Sequence, residues 1–202
     1  MKLYYTPAAC SQAAHIIARE LGIPLELVRV DLARHVLADG SDFHAINPKG
    51  YVPLLVLDDG TALTEGSVIL QYLAGLHPGV VAPAPDDPAR WKLLEVLAFI
   101  STEIHKGSSL LWNPAVTDPV VREILVRKLG ANLALLEGQL ADASFLVGDA
   151  FSVVDAYLFV LLNWMRIKQF DLSAWPRLVA YHARLSARPS IAAALQAEGL
   201  KK

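Results

Sequence analysis

Two rhythms of hydrophobic positions divide the chain. Over residues 2–76 the apolar residues come in short runs separated by Gly, Pro and Asp, whereas beyond residue 88 they recur at helical spacing. Residues 2–5 read as a strand that Thr6-Pro7 breaks. Cys10-Ser11 then opens a helix, with either residue at its cap and Ile16, Ile17 and Leu21 on its apolar face. Gly22 and Pro24 end it. Residues 25–30 form a second strand, parallel to the first if the helix is a crossover. Residues 31–46 are polar and irregular, with a short helix near Phe43. Residues 54–57 make a third strand, Asp58-Asp59-Gly60 a tight turn, and residues 61–64 the returning fourth strand. Glu65-Gly66-Ser67 opens a helix that turns Val68, Ile69, Tyr72, Leu73 and Leu76 inward.

Residues 77–88 carry four prolines and a glycine, and strand signals vanish after them. A long helix over residues 89–109 stops before Asn113-Pro114, and Pro119 begins the next, which runs to about residue 140 through an interior Gly130. Ser152-Val153-Val154-Asp155 is a capping box with Asp in place of Glu. It opens a helix to residue 167 that is apolar on nearly all faces and so belongs at the centre of its domain. Trp175-Pro176 and Pro189 start two more. The fold class is α+β: a βαβ-ββα domain over residues 1–78, a linker over 79–88, and an all-α domain over 89–202.

Composition narrows the function classes. Hydrophobic residues make up 54% of 202 and charged residues 19%, the balance of a core-rich folded chain and not of a disordered one. A net charge of −2 points to neither nucleic acid nor an anionic membrane as partner. The apolar run 156–162 falls far short of the ~20 residues that span a bilayer. Residues 1–5 enter a strand pattern with no charged-then-apolar leader, so a cytoplasmic location is expected. The single cysteine excludes an internal disulfide and a Cys-rich metal site, the histidines show no metal spacing, and no metal is expected. The high apolar fraction suggests a buried subunit interface.

The chemistry-bearing residues cluster at element starts. Asn47-Pro48-Lys49-Gly50-Tyr51-Val52-Pro53 is a turn running into the third strand. Pro53 offers no N–H, which leaves the Val52 backbone free to pair an extended ligand or simply to enter the strand. Cys10, at a helix start, is either a thiolate stabilised by free N–H groups or a small buried hydrophobe. The Glu65-Gly66 helix start can take a carboxylate, with Glu65 pairing an ammonium, a pairing suited to an α-amino acid head group. Glu65 alternatively serves only the helix dipole. His105, beside Thr102 and Glu103, is a proton shuttle, a hydrogen-bond donor or a structural histidine. His35 is a basic group able to meet a carboxylate.

Taken in order, Met1-Lys2-Leu3-Tyr4-Tyr5-Thr6-Pro7 with Cys10-Ser11 and His15, Ile46-Asn47-Pro48-Lys49-Gly50 with Val52-Pro53, Leu63-Thr64-Glu65-Gly66, Glu103-Ile104-His105-Lys106-Gly107 and Asp155-Ala156-Tyr157-Leu158-Phe159 carry a resemblance. Along its whole length the chain resembles the glutathione S-transferases, most closely their bacterial beta class. The resemblance implies a thioredoxin-like N-terminal domain, a helical C-terminal domain, a homodimer, and glutathione as co-substrate without a further cofactor. It implies a cis bond before Pro53, Val52 pairing the cysteinyl backbone of glutathione, and Glu65 and Gly66 holding its γ-glutamyl end. Cys10 would lie beside the glutathione sulfur, with Ser11 and His105 as further catalytic candidates. His35 would meet the glycyl carboxylate, and Thr102, Glu103 and His105 would reach the site from the helical domain, in one reading across the dimer interface. Two positions depart from the beta-class pattern: His35 stands where a lysine is usual and Ala98 where an asparagine is common. The implied activity is conjugation of the glutathione thiolate to electrophilic, mostly hydrophobic substrates, in a detoxifying role. The alternatives are glutathione-dependent thiol–disulfide exchange or peroxidase chemistry through Cys10, and non-catalytic binding of hydrophobic compounds.

Overall fold

The computed structural model describes residues 1–200. Five strands form one mixed sheet: β1 (Lys2–Tyr5), β2 (Glu26–Asp31), β3 (Val36–Leu37), β4 (Leu54–Val56) and β5 (Ala62–Leu63), in the order β3-β2-β1-β4-β5. Helix α1 (Gln12–Glu20) carries the chain across, so β1 and β2 are parallel, with Leu3 opposite Leu27. β4 runs antiparallel to β1, with Leu3 opposite Leu55, and β5 closes the hairpin. Leu3 and Leu55 are both fully buried beneath α1 and α2 (Gly66–Gly75). This is the expected βαβ-ββα order, with one addition. β3 lies in the stretch whose sequence looks irregular, because two residues are too few to show alternation. The short helix expected near Phe43 is a 3-10 turn, Phe43–Ala45, capped by the Asp42 carboxylate. On α2, Ile69 and Leu73 are buried as expected, but Val68 and Leu76 are 44% and 42% exposed.

The remaining helices are α3 (Ala89–Phe99), α4 (Lys106–Leu111), α5 (Pro119–Gln139), α6 (Val153–Ile167), α7 (Pro176–Ser186) and α8 (Pro189–Ala197). α3 and α4 correspond to the single long helix expected over residues 89–109. They are joined by a π-helical stretch, Ile100–His105, which the sequence gives no sign of. α6 is the central column. Residues 153–162 are all buried, which at roughly 1.5–3 kcal/mol per large apolar side chain makes it the main source of stability in this half. Its start is fixed by the capping box: the Asp155 carboxylate accepts from the Ser152 amide at 2.8 Å, the Leu146 amide at 3.0 Å and the Tyr181 hydroxyl at 2.5 Å. Gly130 has a local reason as well. A Cβ there would stand 3.4 Å from the Trp175 ring, so the missing side chain lets Trp175 lie against α5.

α1 joins the two halves, packing on α2, α6 and α8. The Trp164 indole on α6 donates to the Ala8 carbonyl at 2.6 Å, and the Ala8 amide donates to the buried Glu198 carboxylate at 3.1 Å. Ala8 has a left-handed φ of 61°, uncommon for a residue with a Cβ. Bonds on both sides of it fix the loop that presents Ala9 and Cys10.

Candidate active site

A cavity of about 320 Å³ opens between the two halves. The sheet side contributes Cys10, Val52, Pro53, Glu65 and Gly66, and the helical side Ser101, His105, Lys106, Tyr157 and Trp164. Asn47, Lys49 and Tyr51 line its rim. Turn chemistry builds the floor. Asn47 donates from its amide to the Tyr51 carbonyl at 2.8 Å and accepts the Lys49 amide, which pins the turn before Val52. The Val52–Pro53 bond is cis, as the resemblance implies. β4 begins only at Leu54, which leaves Val52 outside the ladder.

Cys10 lies at the floor, its thiol donating to the Val52 carbonyl at 3.2 Å. The sequence places it at a helix start that favours a thiolate; the structure reverses that expectation. α1 begins at Gln12, and burial pushes the thiol up to about 11. Lys106 and the Cys10 and Ser11 amides favour the thiolate but do not offset desolvation. The thiol is therefore protonated at neutral pH.

Glu65 caps α2 at a φ of 65°, with its carboxylate accepting the Lys49 ammonium at 2.8 Å. That hydrogen bond holds Glu65 below the usual carboxylate range. The pair is exposed and stabilises by no more than about 1 kcal/mol. An incoming ammonium can therefore share or displace it at small cost. Gly66 opens the first turn and lines the cavity, at the end of a helix whose first N–H groups lack intrahelical partners.

On the helical side, His105 Nδ1 stands 2.6 Å from the Tyr157 hydroxyl, and its ring lies edge-on to Trp164 with centroids 5.0 Å apart. Burial, helped by the neighbouring Lys106 charge, lowers its pKa to about 4, so the ring is neutral. The neutral imidazole, the Lys106 ammonium and the start of α2 at Gly66 thus line one small space, with the Glu65 carboxylate beside them. Such an arrangement stabilises an anion.

Cys10, Val52, Glu65, Gly66 and His105 come together in this cavity. Four other expected site residues do not line it. Ser11 is fully buried, its hydroxyl bridging the Thr6 amide and carbonyl in the turn before α1. His35 packs against His44, the rings tilted by 35° with centroids 4.4 Å apart. Thr102 bonds back to the Ala98 carbonyl at 3.1 Å, and Glu103 pairs with Lys128 at 2.9 Å. Sequence reasoning singled out neither Tyr157 nor Trp164 as a site residue, although both lie in helix α6, and it did not separate Lys106 from His105. Among the described residues no cluster of three or more His, Cys, Asp or Glu could hold a metal ion, and no helix is long and apolar enough to cross a membrane.

Residues 8–76 match the family model described as the glutathione S-transferase N-terminal domain, and residues 99–189 match that of the C-terminal domain. The chain is 43% identical to the glutathione S-transferase GstA of Escherichia coli O157:H7, over 100% of both chains. It superposes on the bacterial beta-class glutathione S-transferase of Sphingomonas chungbukensis with a TM-score of 0.93, at 40% identity over 100% of both chains. A sphingomonad glutathione S-transferase complexed with glutathione gives a TM-score of 0.92 at 42% identity, again over 100% of both chains. A thioredoxin-like mixed sheet, a helical second half and a cavity between them, matched end to end by these relatives, lead to one conclusion: the chain belongs to the glutathione S-transferase family, in its bacterial beta class.

Proposed function

We propose that this enzyme binds glutathione in the cavity between its two halves and conjugates the glutathione sulfur to electrophilic, mostly hydrophobic small molecules. The observation that carries the reading is the meeting of Val52, Glu65 and Gly66 with a neutral, buried His105 and the Lys106 cation around one cavity. The Val52 backbone is suited to pair the cysteinyl unit as an added strand would. The α2 N–H groups and Gly66 suit the γ-glutamyl carboxylate, and Glu65 its ammonium. The thiol loses its proton to solvent, and His105 and Lys106 favour the resulting thiolate. The thiolate pair then forms the carbon–sulfur bond as the leaving group departs with its own pair, or as an activated double bond takes up the charge and then a proton. Orienting the two reactants and lowering the thiol pKa are the protein's contribution.

The raised Cys10 pKa speaks against exchange chemistry, which needs a thiolate at that position. Cys10 then serves to shape the floor beside Val52. Ser11 acts through the turn that carries Cys10. His35 would have to leave its contact with His44 to meet the glycyl carboxylate, and Thr102 and Glu103 would serve the site of a second copy. Large hydrophobics left exposed on the helical half, among them Trp91 at 77% and Leu135 at 58%, are residues that a homodimer could cover. A division at residues 79–88, a cytoplasmic location and a detoxifying role complete the proposal.

The test is calorimetric titration with glutathione of the wild type and of His35→Lys, followed on the same samples by conjugation to an aryl halide, with light scattering for the oligomeric state. Binding with turnover by a dimer is expected, and tighter binding by His35→Lys. No binding and no turnover by either protein would overturn the reading.

A further inference from the structure

We propose that Tyr157 is a positioning residue that fixes the tautomer of His105, so that His105 presents Nε2–H to the sulfur of the substrate thiol. The donor direction follows from acidity. The Tyr157 oxygen and His105 Nδ1 are 2.6 Å apart, within hydrogen-bond reach. A phenol O–H is far more acidic than the N–H of a neutral imidazole, and the imidazole lone pair is the stronger base, so the O–H donates and Nδ1 accepts. A neutral imidazole has one acceptor nitrogen and one N–H, so the proton is on Nε2.

The surroundings agree. The ring is neutral because burial and Lys106 oppose its protonation, with only Glu65 favouring it. Tyr157 keeps its proton, since burial and the Cys10 and Glu65 groups raise its pKa well above the phenol range. Ser101, on the π-helical stretch, favours the phenolate but does not offset burial. The ring cannot easily flip, because Trp164 and Tyr157 both pack edge-on against it. Trp164 is itself anchored to the Ala8 carbonyl at 2.6 Å. Among the described residues no protein group bonds to Nε2, and His105 lines the cavity. A histidine free to exchange tautomers would offer the thiolate a lone pair part of the time, which repels it.

The inference rests on the transferase reading, but its first measurement does not. In the free wild-type protein at neutral pH, nitrogen NMR, with His105→Gln to assign the signal, is expected to show His105 as the Nε2–H tautomer. Tyr157→Phe, which keeps the ring and removes only the hydroxyl, is expected to show a mixture. In conjugation, Tyr157→Phe is expected to lower kcat about two- to tenfold, the worth of one net hydrogen bond, with the KM for glutathione unchanged. The loss is expected to disappear in a His105→Gln background, which a merely structural role would not produce. A wild-type His105 protonated on Nδ1 overturns the inference whether or not the protein turns over, and needs no variant to fold. An equal kcat loss with and without His105 also overturns it.

Discussion

Gly66→Ala separates what the fold needs from what the ligand needs. Gly66 is not among the glycines with a left-handed φ, so alanine fits its backbone. A Cβ there would meet the Tyr157 hydroxyl at 3.8 Å and Pro53 Cγ at 3.9 Å, both ordinary contacts. Nothing in the protein demands a glycine. Alanine is favoured over glycine in a helix by up to about 1 kcal/mol, so the variant is expected to melt at the wild-type temperature or roughly 2–4 °C above it. The neighbours of the added methyl are both cavity-wall residues, beside the α2 N–H groups. A carboxylate approaching those groups is held off, at the cost of one charge-assisted hydrogen bond, about 1.5–3 kcal/mol. Glutathione should then bind roughly ten- to a hundredfold more weakly. Thermal melts and calorimetry on the same preparation provide the check. Wild-type affinity in a stable Gly66→Ala protein would refute the placement of the γ-glutamyl end. A large drop in melting temperature would refute the claim that the fold is indifferent.

Cys10→Ala is expected to abolish any disulfide-exchange activity and to keep conjugation within a few-fold of wild type, because the thiol is protonated at neutral pH; parallel exchange and aryl-halide assays decide. His105 and His182 both have folded pKa values lowered to about 4 by burial, against 6.5 when exposed. Each contributes stability that is full above pH 6.5 and is lost as pH falls towards 4, by up to about 1.4 kcal/mol per pH unit. Urea titrations at several pH values should show that slope, and His182→Gln should flatten it. Asp155→Ala leaves four buried donors without their acceptor and is expected to cost about 3–5 kcal/mol, read from urea unfolding.

Most of the sheet half was legible because its signals are local. A strand is announced by a few residues, a hairpin by Asp59-Gly60, and a helix start by Glu65-Gly66. The floor of the cavity is built from such starts, so Val52, Glu65 and Gly66 could be found from the chain alone. The helical wall is another matter. Tyr157 and Trp164 belong to a helix buried on nearly every face, so the hydrophobic pattern marks no functional side on it. Their polar atoms meet partners 52 and 156 residues away, a relation that no window along the sequence contains.

The Cys10 expectation failed for a related reason. The local signal, N–H groups at a helix start, is present and pulls in the expected direction. What outweighs it is desolvation, and desolvation is set by whatever the rest of the chain packs over the sulfur. The π-helical stretch shows the same limit in geometry. Ser101, Thr102, Glu103 and His105 are all tolerated within an α-helix, so nothing in their order signals a wider turn. Yet a π turn takes about one extra residue, which rotates the following side chains by about 100° relative to an unbroken α-helix. A helical wheel drawn from residue 89 therefore misplaces Lys106, the cation that faces Cys10 across the cavity. The residues on the sheet side of the cavity could be named from the sequence; the directions in which those on the helical side point depend on a turn and a burial that only the folded chain defines.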